Sequence, residues 1–339
     1  MTGSAAAAGA AGTTGGRRNS SVPSGGWRRL IRDQPIIPLL LLLVALVVAL
    51  QVSKPGIVNG NWLATTLRAA IPLAILAACQ TLAMLTGGID LSVGAIASMA
   101  AYLMATLTFT QGPAVAIAIA VVACAVAGLA NGIGVGVFKV HPLIMTLGMS
   151  LVVLGLMSVY QLAMVQSGVH IPDAIQSIGS GISFGFVPNS LIVFIPVAAI
   201  IVVGLRRSGY GRLLFAVGDN PIAARLAGTR VWQVLVALYI LSGVLAAIAG
   251  LLLSGLNHTA TVSLVEQSVL PSVAAAVIGG TSIMGGRGGY AGTIVGALIL
   301  TVVTTLLTVL EMPEAVRQVL FGVIIVAVAA AYTRVSGDA

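Results

Sequence analysis

The chain has 339 residues, of which 58% are hydrophobic and only 7% charged. Soluble domains carry about 25% charged residues, so a water-exposed globular fold is excluded and a polytopic membrane protein is implied. The formal charge of +8 would suggest nucleic acid for a soluble protein. In a membrane protein the placement of the charge matters more than its sum, and no nucleic-acid partner is expected.

Residues 1–26 are rich in Ala, Gly, Ser and Thr, and 1–34 read as a disordered cytoplasmic tail. Arg17-Arg18 and Arg28-Arg29 precede the first apolar run, as they would in an export signal. That run is long enough to span a bilayer and no small-x-small cleavage site follows it, so an uncleaved first span is expected. A span needs about 20 mainly apolar residues. Ten stretches qualify, near 35–53, 69–86, 91–110, 113–137, 143–165, 190–205, 232–256, 266–280, 290–310 and 314–332, the eighth being short. The expected fold is all-α, with about ten transmembrane helices over 35–333, a tail at 334–339 and both termini cytoplasmic.

Charge placement supports that orientation. With the amino terminus inside, the inner segments hold Arg17, Arg18, Arg28, Arg29, Arg32, Lys139, Arg206, Arg207, Arg212, Arg225, Arg230, Arg287 and Arg334. The outer segments hold Lys54, Arg68 and Arg317. Thirteen against three follows the positive-inside rule. Two hydrophilic interruptions break the pattern of short turns: an external loop at 166–189, with His170, Asp173 and Asn189, and an internal loop at 206–231 with five arginines.

Between the second and third apolar runs stands Gly87-Gly88-Ile89-Asp90-Leu91-Ser92-Val93-Gly94. An ionisable group at membrane depth costs roughly 2.5–3.5 kcal/mol on insertion scales, so Asp90 needs a reason. Its plainest role is to cap the third span, with Gly87 and Gly88 ending the helix before it. A gate or pathway role is the alternative, since broken helices in transporters line solute sites. Both can hold together.

The internal loop contains Gly218-Asp219-Asn220-Pro221-Ile222-Ala223-Ala224-Arg225-Leu226-Ala227-Gly228. Asp219 or Asn220 can accept the first free backbone N–H groups, Pro221 suits the first helical position, and Gly228 suits a left-handed end. Ala223, Ala224, Arg225 and Leu226 are good helix formers. So short a helix needs something to pack against. It either lies on the membrane with its basic residues at anionic lipid or docks a soluble partner through its small Ala-Ala face.

A third segment, Gly279-Gly280-Thr281-Ser282-Ile283-Met284-Gly285-Gly286-Arg287-Gly288-Gly289, has six glycines. The phosphate-binding pattern demands Gly-Lys-Ser/Thr, and neither Lys54 nor Lys139 sits in such a context. Close helix packing or an unwound turn at the pathway is expected instead. Cys79 and Cys124 lack metal spacing and read as small buried hydrophobes. His141 and His258 fall at turns and read as solvated or interfacial, and Arg68 can snorkel to the headgroups.

These three segments, in this order, resemble the signature segments of ribose-type permeases of ATP-driven importers, and the resemblance runs from about 35 to 333. It implies that 219–228 is a coupling helix seated in a cleft of a cytoplasmic ABC ATPase subunit. It also implies an extracytoplasmic solute-binding protein, a second permease subunit (the same chain or a homologue) and a sugar-like solute. The membrane would be the bacterial cytoplasmic membrane. This chain would bind no cofactor, ATP and Mg being held by the partner ATPase. Permeases for branched-chain amino acids are related and give the alternative solute class.

An intramembrane enzyme fits poorly: only Asp90 supplies an acid at membrane depth, and neither HExxH nor a Gly-x-Ser-x-Gly elbow beside a base is present. A self-contained secondary transporter would place several ion-coordinating groups near the midplane.

Overall fold

The computed structural model describes residues 36–164, 168–313, 315–323 and 326. The tails expected at 1–34 and 334–339 lie outside the described residues. Most of what is described is helical: α1 (Ile36–Ser53), α2 (Gly60–Leu85), α3 (Val93–Gln111), α4 (Pro113–Gly136) and α5 (Pro142–Ala163). Then come α6 (Asp173–Ser180), α7 (Leu191–Arg207), α8 (Gly209–Asp219), α9 (Pro221–Leu226), α10 (Val231–Asn257), α11 (Val269–Ile278) and α12 (Tyr290–Val309). A 3-10 turn at Glu266–Ser268 leads into α11, and 315–323 is helical.

The all-α expectation holds apart from one minimal hairpin. In the external loop, β1 (Ile182–Ser183) pairs antiparallel with β2 (Val187–Pro188), next to the short helix α6. Among the described residues fewer helices qualify as spans than the about ten expected of the whole chain. Seven helices among the described residues are long and apolar enough to cross a membrane, or eight if α7 and α8, bent by 67° at Ser208, form one span. The stretch at 266–280 falls short because it holds three residues of 3-10 and ten of α-helix before Gly279 breaks it. At 1.5 Å per residue that reaches about 20 Å, against a hydrocarbon core of about 30 Å. Of the stretch at 314–332, residues 315–323 and 326 are described and helical, and the rest lies outside the described residues.

Apolarity and burial run opposite ways. The most apolar span, α1, is the least buried, and the least apolar, α3, is the most buried. Lipid is the apolar solvent here, so the interior helices are selected for close packing instead. The contact of α4 with α10 shows how. Gly128, Gly132 and Gly136 repeat every fourth residue along α4 and face the α10 backbone. A Cβ on Gly132 would lie 2.6 Å from Val236 Cα, and one on Gly136 would lie 2.9 Å from Trp232 O. Cys124 belongs to the same face; its Sγ donates to Ile96 O at 3.2 Å. Cys79 donates to Ser242 O at 3.4 Å. Both thiols are free and buried, as small core residues.

Segments assigned to one membrane side by charge meet at one end of the bundle. At the end expected outside, His170 N donates to Ala105 O, the Arg68 guanidinium donates to Ser180 O, and His258 bonds Gln176. Arg68 and His258 are therefore fastened to the external loop. At the end expected inside, Gly286 N donates to Leu85 O, joining the turn after α11 to the end of α2.

Candidate functional site: a helix break, a short capped helix and a glycine joint

All three signature segments use the same local device. A helix ends, the next residue but one is a glycine in the left-handed region, and two backbone N–H groups turn back to the last free carbonyls. After α2, Gly87 has φ +77°, with Gly87 N bonded to Met84 O and Gly88 N to Ala83 O. After α9, Gly228 has φ +88°, with Gly228 N bonded to Arg225 O and Thr229 N to Ala224 O. After α11, Gly280 has φ +87°, with Gly280 N bonded to Val277 O and Thr281 N to Ala276 O. This is the Schellman arrangement; an L side chain at the glycine position would be strained.

The break between α2 and α3 runs through the protein interior, so its backbone groups need partners there. Side chains supply them. Gln80 clasps Asp90 on both sides, its Nε2 donating to Asp90 O at 2.8 Å and its Oε1 accepting from Asp90 N at 3.2 Å. Thr146 Oγ1 accepts from Leu91 N and lies 3.2 Å from Ile89 O. The Asp90 carboxylate is 1% exposed and takes three neutral donors: Ser92 N at 3.1 Å and Ser92 Oγ at 2.6 Å on Oδ1, and Ser242 Oγ at 2.8 Å on Oδ2. Asn131 Nδ2 in turn donates to Ser92 Oγ at 2.8 Å. Asn131 Oδ1 and Tyr239 Oη are buried in the same region with no protein hydrogen-bond partner.

This refines the expected cap. Asp90 is not the residue flanking α3: that is Ser92, whose own side chain makes no cap bond. Asp90 instead accepts from the residue two ahead, an Asx turn, and its other oxygen crosses to Ser242, about halfway along α10. It is therefore a pin between two spans as well as a turn former.

The short helix is capped as expected. Asn220, rather than Asp219, is the N-cap; its Oδ1 accepts from Ile222 N at 3.0 Å and Ala223 N at 2.9 Å, with Pro221 at the first position. Asp219 is the last residue of α8. The internal loop also holds more structure than its polar composition suggested. Gly211, Leu214 and Val217, at helical spacing, are buried, and Ser208 caps α8 by accepting from Gly211 N. The Ala-Ala face is divided: Ala224 is buried against its own chain, whereas Ala223 is exposed. The outward apolar groups are Ile222, 68% exposed, and Leu226, 85% exposed, with Arg225 between them.

The three segments converge at one joint made of backbone. A Cβ on Gly218, at the end of α8, would overlap Leu85 O and lie 2.7 Å from Gly286 N. One on Gly285 would lie 2.7 Å from Gly218 O and 3.1 Å from Gly87 N. One on Gly286 would lie 3.1 Å from Asp219 Cα. Gly218, two residues before the N-cap of α9, thus sits against the turn that opens the Asp90 break. Within the glycine segment Ser282 N donates to Arg287 O at 2.9 Å and Ser282 Oγ accepts from Met284 N at 3.2 Å. Thr281 and Thr81 both meet the Thr293 hydroxyl, which ties α2 to α12. Gly279 packs on Thr293 N and the backbone of Gly292. The segment is an unwound turn serving close packing.

Gln80, Asn131, Thr146 and Ser242 escaped sequence reasoning, and Gly218 was read only as the start of the internal segment. Each polar one stands isolated in an apolar run, which is the signal that could have found it.

A family described as the branched-chain amino acid transport system permease component matches residues 62–329, and the chain belongs to that family. It is a multi-pass membrane protein and a transport subunit. Among relatives, a ribose import permease of Bacillus subtilis (strain 168) is 34% identical over 84% of this chain and 88% of its own length. A fructose import permease of Rhizobium meliloti is 32% identical over 86% of this chain and 82% of its own. A ribose import permease of Escherichia coli (strain K12) is 31% identical over 86% and 91%. No solved structure matches the chain.

Proposed function

We propose that this chain is the membrane-spanning permease of a binding-protein-dependent ABC importer that carries a monosaccharide or a similar neutral polyol across the bacterial inner membrane. The names of its relatives, ribose and fructose import permeases, support that solute class. The observation that carries the mechanism is the placement of α9. It is capped at both ends, turns Ile222 and Leu226 outward, and connects through Gly218 to the turn before Asp90.

In this reading a separate ATPase subunit holds ATP and Mg and grips α9. Closure of the ATPase displaces α9 and α8, and the glycine joint passes the displacement to the break at 86–92. The pathway then switches between outward and inward access. An external binding protein delivers the solute, and a second permease subunit, a copy or a homologue, completes the pathway. Asn131 Oδ1 and Tyr239 Oη offer a buried acceptor and a phenol hydroxyl beside the break.

The test is uptake in vesicles containing this chain, its ATPase and its binding protein. Sugar uptake should require ATP; uptake by this chain alone on a proton or sodium gradient would overturn the reading. Ile222→Asp with Leu226→Asp should abolish capture of the ATPase by the tagged permease while membrane insertion stays normal. Unchanged capture would remove α9 as the docking element.

A further inference from the structure

A groove of about 760 Å³ opens where α4 ends, α9 passes and α10 begins, lined in part by Val137, Lys139, Arg225, Arg230, Trp232 and Leu235. Its two ends differ in chemistry. Lys139, Arg225 and Arg230 are all exposed, and among the described residues no ion pair or side-chain hydrogen bond engages any of the three. Lys139 is held in the left-handed region at φ +57°, a conformation uncommon for a non-glycine residue. Towards the spans the lining turns apolar, and Trp232, in the first turn of α10, is 47% exposed. Tryptophan at a helix start beside cations marks the headgroup level of a bilayer.

We propose that this groove seats one anionic phospholipid. Its phosphate lies among Lys139, Arg225 and Arg230, and its glycerol and first acyl carbons lie on Val137, Trp232 and Leu235. Two features favour lipid over an acidic protein surface. The cationic end grades into the lipid-facing sides of two spans, so the occupant must be charged at one end and apolar at the other. The groove also lies between helix ends at the basic side of the membrane, where pockets for anionic headgroups form. The assignment rests on the inner placement of 206–231 in the importer reading. It adds an occupant next to the coupling helix, so that lipid would brace Arg225 and Pro221 from the membrane side.

Lipid retention is read on the purified chain alone, so this proposal and the importer reading can fail separately. The detergent-solubilised chain is titrated with phosphatidylglycerol or with phosphatidylcholine of the same acyl chains, and bound lipid is counted by native mass spectrometry. Phosphatidylglycerol should be retained preferentially, and excess inorganic phosphate should not displace it. Changing Lys139→Gln, Arg225→Gln and Arg230→Gln together should weaken that retention by on the order of 100-fold, at about fivefold for each basic residue. Retention of phosphatidylcholine should not change, which controls for the fold. Arg206→Gln with Arg207→Gln, exposed but outside the groove, should leave phosphatidylglycerol binding intact. Equal retention of the two lipids, or equal loss in the two variants, would overturn the proposal. It would also fall if the triple variant kept phosphatidylglycerol but no longer captured the ATPase, because the groove would then belong to that subunit.

Discussion

A Gly218→Ala chain is expected to melt earlier in detergent and to lose most of its ATP-driven uptake. The added Cβ meets Leu85 O and Gly286 N, both main-chain atoms, so no rotamer can make room. Overpacking in a well-packed core costs about 1–3 kcal/mol, and backbone obstacles on two sides place this position near the top of that range. Relief would require either that α8 withdraw from the α2 turn or that the Gly286 N to Leu85 O hydrogen bond of 3.0 Å give way. Gly209→Ala is the control, since its nearest neighbour is the tip of Arg212 at 3.9 Å. A thermal melt and an uptake assay on both variants decide the matter. Native values for Gly218→Ala would show that the joint has slack and plays no part in coupling.

Asp90 yields the second large effect, and the choice of substitute separates its roles. Asp90→Ala removes the acceptor for Ser92 N–H, Ser92 Oγ and Ser242 Oγ together. Each buried donor left unpaired costs about 1–3 kcal/mol, so the chain should fold poorly or not at all. Asp90→Asn keeps an oxygen for Ser92, and its amide can donate to Ser242 Oγ, because a serine hydroxyl also accepts. It should insert normally and retain uptake within a few-fold. If the Asn chain folds as the parent does and transports nothing, the negative charge itself serves the pathway.

The capped ends of α9 and the left-handed glycines at 87 and 228 were readable because local chemistry fixes them: a cap, a proline and a glycine act within a few residues. Helix α8 was not readable. Gly209, Gly211 and two arginines gave the segment the look of a loop, and only packing of Gly211, Leu214 and Val217 against the body reveals a helix. The direction of the Ala-Ala pair was misjudged for the same reason: spacing places both residues on a short helix but cannot say which face is already covered. Asp90 was legible as a residue needing partners, yet its partner on α10 comes from 152 positions away. The stretch at 266–280 read as a span, but its helix ends after about 20 Å, two thirds of the hydrocarbon core. Composition alone does not separate a full span from a short helix buried among others.

The joint at Gly218 has a mechanical consequence. Most helix contacts are cushioned, because intervening side chains can swing to another rotamer and absorb a small shift. Here carbonyl, amide and α-carbon atoms touch directly, so the contact is stiff. A displacement of α8 smaller than an ångström cannot be lost within it. It must either travel on to the turn at Gly87 or pull the joint apart, which makes the connection closer to a rigid strut than to a spring.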